Sequence, residues 1–81
     1  MLGHVVPLWR LELNDGCVAH VEQRDGRVWW RLVQPAGRAE VLGVARDEQG
    51  GRLLAVLAWR DATGLRGVPE AVRDAALRGA A

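Results

Sequence analysis

Turn signals recur at nearly regular intervals along most of the chain, and this spacing constrains the fold more than any other feature. Runs rich in Val, Leu and Trp lie between them. The signals are Asn14-Asp15-Gly16, Asp25-Gly26, Pro35-Ala36-Gly37 and Gln49-Gly50-Gly51. Short apolar runs bounded by such turns are typical of consecutive antiparallel strands joined by hairpins. The sequence predicts strands at about residues 5–13, 17–24, 27–34, 38–46 and 52–60. In place of the fourth strand, residues 39–48 could also form a short helix.

The C-terminal part of the chain has a different pattern. Pro69 is favoured at the first position of a helix, Glu70 suits the positive helix start, and Gly79 is a typical stop. Apolar residues recur here at helical spacing, namely Leu65, Val68, Val72, Ala75 and Ala76. The pattern predicts one amphipathic helix at about residues 69–78. A helix this short is marginal alone and must pack on the sheet.

These elements predict an α+β fold. At 81 residues the chain has the size of one domain, so we expect a single domain over residues 1–81. It would contain a four- to five-stranded antiparallel β-meander followed by one C-terminal helix packed on the sheet. The sheet could also curl into a partial barrel. The predicted strand 52–60 is apolar on both faces, and such a strand is normally covered on both sides.

Hairpin geometry assigns the strand residues to two faces. A three-residue loop at residues 14–16 sets three apolar pairs on one face, namely Leu13 with Cys17, Leu11 with Ala19 and Trp9 with Val21. A two-residue turn at Asp25-Gly26 then sets two more pairs on that face, Val21 with Trp30 and Ala19 with Leu32. A slip of one residue would bring polar side chains to this face, so the apolar register is preferred.

The other face of the predicted sheet mixes charged and apolar residues. Its rows are Arg10–His20–Arg31, Leu8–Glu22–Trp29 and Glu12–Val18–Val33. If Pro35-Ala36-Gly37 is also a three-residue loop, Gly43 lies opposite Trp29 and Val41 lies opposite Arg31. One short helix cannot cover both faces, and a buried Trp removes about 150–250 Å² from water. We therefore expect Trp29 to be covered by the helix or by a partner.

Catalytic and metal-binding residues are few. Cys17, His20 and His4 are potential metal ligands, but residues three apart on a strand point to opposite faces, so Cys17 and His20 cannot chelate one ion. The chain has no serine, Thr63 carries its only hydroxyl group, and Cys17 is predicted to face the core. These features predict a protein that is not an enzyme and that uses no metal, cofactor or small-molecule substrate.

The most suggestive residues for binding are Trp29, Arg31, Arg10, His20 and Arg27, which share the mixed face. Trp and Arg are enriched in the hot spots of protein interfaces. The sequence therefore predicts a non-catalytic protein-interaction or accessory module, which we expect to be a homodimer. The alternative is a single-stranded nucleic-acid-binding module on the same face, where arginines contact phosphate and Trp29 stacks on a base. A net charge of only +1 makes that alternative weaker.

Composition bears on the source and location of the protein. Lys, Ile, Phe and Tyr are absent, and all have A/T-rich codons, which indicates a GC-rich bacterial or phage genome. The single cysteine cannot form an internal disulfide. The N-terminal stretch contains Pro7, Arg10 and Glu12, unlike a signal peptide, and no apolar run approaches the roughly 20 residues that span a bilayer. We therefore expect a cytoplasmic protein without membrane contact.

Overall fold

The computed structural model describes residues 4–35 and 40–78 of the chain. Within these residues the elements are β1 (Val5–Glu12), β2 (Val18–Arg24), β3 (Arg27–Val33), β4 (Val41–Ala45), α1 (Glu48–Thr63) and α2 (Glu70–Arg78). The strands form one antiparallel sheet in the order β1-β2-β3-β4. Helix α1 packs on one face of this sheet and α2 packs against α1. The predicted α+β class, with an antiparallel meander followed by helical structure, is confirmed.

The first two hairpins have the predicted registers. Gly16 has a φ of 93°, and the turn residues Asp25 and Gly26 have φ values of 53° and 76°, as left-handed turn positions require. The pairs Trp9–Val21, Leu11–Ala19, Val21–Trp30 and Ala19–Leu32 form as expected. One detail differs, because a β-bulge between Pro7 and Trp9 places Pro7 opposite Glu22 in the position predicted for Leu8.

Strand β4 forms where the sequence left a choice between strand and helix, but its register differs by one residue from the prediction. Gly43 lies opposite Trp30 instead of Trp29, and Leu42 rather than Val41 lies opposite Arg31. The predicted loop at 35–37 extends into residues 36–39, which lie outside the described residues. A Cβ atom at Gly43 would lie 2.7 Å from Trp30 Nε1. This register therefore places Gly43, which has no side chain, directly under the indole of Trp30.

The predicted fifth strand at 52–60 is wrong, because this segment belongs to helix α1. Asp47 caps the helix, its side chain accepting a hydrogen bond of 2.8 Å from the Gly50 N–H. The helix ends at Gly64, whose φ of 75° is the left-handed conformation of a C-terminal cap. The Gly50-Gly51 pair, interpreted from sequence as a hairpin tip, therefore lies in the first helical turns.

The buried face of α1 explains why a helix forms here. Gly51, Ala55, Val56 and Trp59 are its buried residues, and they recur at the spacing of one helical face. Every residue from 53 to 59 is apolar, so alternation carried no information about the period. Gly51 lies against the sheet, where an added Cβ would lie 3.1 Å from Val21 Cγ1.

The C-terminal helix forms as predicted. The Arg73 N–H donates a 2.9 Å hydrogen bond to the Pro69 carbonyl, which places Pro69 at the helix start. Ala76 is fully buried, but α2 packs mainly against α1, and it is α1 that forms the layer on the sheet. The buried core lies between sheet and helices and contains Trp9, Leu13, Cys17, Ala19, Val21, Leu32, Ala55, Val56, Trp59 and Ala76.

Asp15 joins the first hairpin to the end of α1. Its carboxylate accepts hydrogen bonds from the Cys17 N–H at 3.1 Å and from Trp59 Nε1 at 2.9 Å. Burial by itself would raise the pKa of Asp15, but these hydrogen bonds stabilise the ionised form and lower the pKa below its ordinary value. The contact holds the buried indole of Trp59 in one orientation.

Neither helix in the described part of the chain has both the length and the apolar character that a membrane-crossing helix needs.

Candidate functional site

The face of the sheet opposite α1, here called the outer face, is covered by no helix or strand of the described residues. The predicted row is confirmed in its register, since Arg10 lies opposite His20 and His20 lies opposite Arg31. Leu42 continues this row onto β4. The outer face therefore displays four strands whose outward side chains are available for contact with another molecule.

A shallow pocket of about 400 Å³ lies on the outer face. Of the predicted site residues, it is lined by Trp29 and Arg31. The remaining lining residues are Val5, Glu22, Arg24, Glu40 and Leu42. The pocket draws on all four strands and on Glu40, the residue before β4, so its geometry depends on the whole sheet.

Arg31 is held between two carboxylates in this pocket. Its Nε donates a 3.1 Å hydrogen bond to Glu22 Oε1, and its Nη1 donates a 2.8 Å bond to Glu40 Oε2. The hydrogen bond with Glu40 is the largest cause of the raised pKa of Arg31, which burial opposes and the charge of Glu22 supports. Because Glu22 is buried, this ion-pair network is a fixed part of the sheet surface.

Trp29 is partly covered by Arg24. The guanidinium carbon of Arg24 lies 4.8 Å from the centre of the Trp29 ring, a cation–π geometry. Arg24 is held more loosely than Arg31, since its Nη2 lies 4.0 Å from Glu22 Oε1 and its Nε has no hydrogen-bond partner among the described residues. Trp29 is half-buried on the outer face, so the expectation that the helix covers it is wrong. Cover by a partner stays a prediction.

The other predicted site residues lie on the outer face but do not line the pocket. Arg10 is exposed and forms a 3.4 Å ion pair with Glu12. Arg27 is exposed beside the turn of the second hairpin. His20 is half-buried, and its pKa is lowered first by burial and then by the charges of Arg31 and Arg10. Histidine at this position is therefore mainly uncharged at neutral pH.

Sequence reasoning missed several residues of the pocket. Arg24 could have been found, because the predicted hairpin register places it on the same face as Glu22 and Trp29. Glu40 and Leu42 could not, since their place on the outer face depends on the register of β4, which the turn signal at 35–37 predicted with an error of one residue. Val5 was within the predicted first strand but was not assigned to the site.

The charges of the residues that line the pocket are balanced. Its two arginines and two glutamates offset one another, while Val5 and Leu42 contribute exposed apolar surface. Val44 lies next to Leu42 along β4 on the same face. Within residues 4–35 and 40–78, no group of three His, Cys, Asp or Glu residues could hold a metal ion. The arrangement offers an aromatic ring, a loosely held guanidinium and apolar surface, which are features of a binding surface.

Comparison of the chain with protein-family models, with curated proteins and with solved structures finds no match. A fold by itself does not assign a function, so the outer face is the feature of this chain that bears on one.

Proposed function

We propose that this chain is a non-catalytic protein-interaction or accessory module that binds a protein partner through its outer face and itself forms a homodimer. We further propose that it is cytoplasmic and encoded by a bacterial or phage genome. One observation carries the binding proposal. The centre of the outer face is a charge-balanced network of two arginines and two glutamates, and it lies beside exposed apolar side chains. Its members are Arg24, Arg31, Glu22 and Glu40.

Charge balance favours protein over nucleic acid as the ligand. A phosphate at Arg31 would meet a guanidinium group whose charge is already paired with Glu22 and Glu40, and both carboxylates would repel it. Binding to the nucleic-acid backbone relies on uncompensated positive charge. A protein partner, in contrast, can combine apolar contacts with paired polar groups, which is the ordinary composition of a protein interface.

The contact pair in this proposal is Trp29 with Arg24. Both residue types are enriched in hot spots. Stacking of the guanidinium on the ring arranges the two side chains before a partner arrives, so less conformational entropy is lost on binding. Arg24 is also the arginine of the pocket with the weaker internal contacts, which leaves its charge available to a carboxylate or carbonyl of the partner.

The proposal is tested by affinity capture from the host with the full chain and three variants, followed by mass spectrometry. We expect a protein partner retained by the original chain and lost with Trp29→Ala and with Arg24→Ala. Arg73→Ala is the matched control, because Arg73 is an exposed arginine on α2, away from the outer face. Circular dichroism of each variant verifies that the loss of binding is not a loss of folding.

Nuclease treatment and a gel shift with short single-stranded oligonucleotides at about 50 mM salt complete the test, since phosphate contacts are strongest at low salt. We expect no shift. A shift that Trp29→Ala abolishes would replace the protein ligand by nucleic acid. Capture of the same proteins by all variants would show that the outer face is not the binding surface.

A further inference from the structure

The two edges of the sheet differ in how well they are protected against pairing with another strand. Strand β1 carries Pro7, an adjacent bulge, Arg10 and Glu12, all of which hinder edge-to-edge association. Strand β4 has neither a charge nor a proline between Val41 and Ala45. No strand of the described residues pairs with its free side. The edge of β4 is therefore the one that is open to a further strand.

The backbone groups on this open edge can be identified from the alternation of an antiparallel ladder. The two-residue turn at 25–26 makes Arg24 and Arg27 a hydrogen-bonded pair, so alternate residues of β3 bond to β2 and the intervening ones bond to β4. The bonded residue of β4 opposite Trp30 is then Gly43. It follows that Leu42 and Val44 direct their N–H and C=O groups toward the free edge.

We propose that two copies of this chain join through antiparallel pairing of their β4 strands about a two-fold axis at Gly43. In this register Leu42 lies opposite the partner's Val44, and each such pair forms two backbone hydrogen bonds. The two strands then continue one sheet across the dimer. The inference rests on the homodimer of the proposed function and specifies where the two copies meet.

Charge complementarity selects this register. Residues 40–46 read Glu-Val-Leu-Gly-Val-Ala-Arg, so pairing about Gly43 sets Glu40 opposite the partner's Arg46 at both ends of the interface. Glu40 and Arg46 are both exposed in the single chain. A shift of two residues in one direction sets Glu40 against the partner's Val44, and a shift in the other sets Arg46 against the partner's Leu42. Both shifts oppose a charge to an apolar side chain, which disfavours them.

Exposed apolar surface supports the same pairing. Leu42 and Val44 are 49% and 48% exposed in the single chain, and both point to the outer face beside the free edge. Pairing of the strands brings them into cross-strand contact with their counterparts, and such apolar pairs stabilise a sheet. A two-fold dimer requires a patch that is complementary to itself, and the segment 40–46 meets that requirement.

Sedimentation velocity of the full chain tests the proposal. We expect a dimer that Val44→Lys weakens about tenfold or more, because lysine on an edge strand opposes pairing. Leu57→Lys is the matched control, since Leu57 is exposed to a similar degree on α1 and should leave the dimer unchanged. Arg46→Glu should also weaken the dimer, because it sets a carboxylate opposite the partner's Glu40. The proposal is overturned if Leu57→Lys, and not Val44→Lys, dissociates the dimer.

Amide hydrogen exchange followed by NMR locates the interface directly. The N–H groups of Leu42 and Val44 should become protected as the protein concentration rises, while that of Gly43, already bonded within the sheet, should be protected throughout. A dimer in which the first two amides exchange freely would refute the edge pairing while leaving self-association in place. A protein that is monomeric at every concentration would refute both the edge pairing and the homodimer. The proposed binding of a protein partner through Trp29 and Arg24 would be unaffected by that result.

Discussion

Replacement of Gly43 by alanine tests the packing of β4 under Trp30. A Cβ atom at this position would lie 2.7 Å from Nε1, 2.9 Å from Cε2 and 3.0 Å from Cζ2 of the indole. The ring is rigid, so either the indole or the edge strand must shift. Overpacking of this kind costs about 1–3 kcal/mol, and the lower entropy of the unfolded chain offsets about 0.4–1 kcal/mol of it. We expect Gly43→Ala to lower the free energy of unfolding by roughly 1–2 kcal/mol.

Urea denaturation followed by circular dichroism measures this change. Gly67→Ala is the matched control, because a Cβ there meets nothing within 4 Å and its backbone is not left-handed, so it should be neutral or slightly stabilising. In a Trp30→Leu background the cost of Gly43→Ala should largely disappear, whereas in a Trp29→Ala background it should persist. Equal stability of Gly43→Ala and the original chain, or rescue by Trp29→Ala, would refute this register of β4.

Three further changes test the links between sequence and fold. Asp47→Ala should destabilise the chain by about 0.5–2 kcal/mol in urea denaturation, because α1 loses the cap on Gly50; no change would mean that the cap is not formed. Asp15→Ala should cost about 1–3 kcal/mol, since the buried N–H of Trp59 loses its acceptor, and Asp15→Asn, which keeps an acceptor, should cost less. The pKa of His20 is lowered in the folded chain, so the unfolded chain binds a proton first as the pH falls. The free energy of unfolding should therefore decline as the pH falls below about 6.5. His20→Gln should remove the part of this decline that is due to His20. A variant with the same pH profile as the original chain would contradict this role of His20.

The first two hairpins could be predicted because the residues of their turns indicate a loop length, and the loop length determines the register of the strands. Asp25-Gly26 supplies two left-handed positions and Gly16 supplies one. These turn types indicated the loop lengths, and the apolar pairs that followed from them supported the same register. The same arithmetic placed Arg10, His20 and Arg31 in one row across three strands.

The connection between β3 and β4 did not determine the register of β4 from sequence. Pro35 and Gly37 signal a turn but allow several loop lengths, and an error of one residue reverses both faces of the strand that follows. Glu40 and Leu42 were therefore absent from the predicted site, although they complete the pocket around Arg31. The indole of Trp30, which requires glycine beneath it, is the tertiary contact that decides the register.

Helix α1 was misassigned for a related reason. An uninterrupted apolar run has no readable period, and the preceding Gly50-Gly51 resembles a hairpin tip. Asp47 was the available signal, since an aspartate before Glu48 can cap a helix. The role of Gly51 depends on contact with Val21 across the core, which only the assembled fold reveals.

Oxidative footprinting of the tryptophans in a complex with the captured partner tests the binding role of the outer face most directly. Trp9 and Trp59 are buried in the single chain and serve as internal controls, whereas Trp29 is only half-buried. We expect the oxidation rate of Trp29 to fall in the complex while the rates of Trp9 and Trp59 stay constant. An unchanged rate at Trp29 in the saturated complex would contradict the proposal that the partner binds to this face.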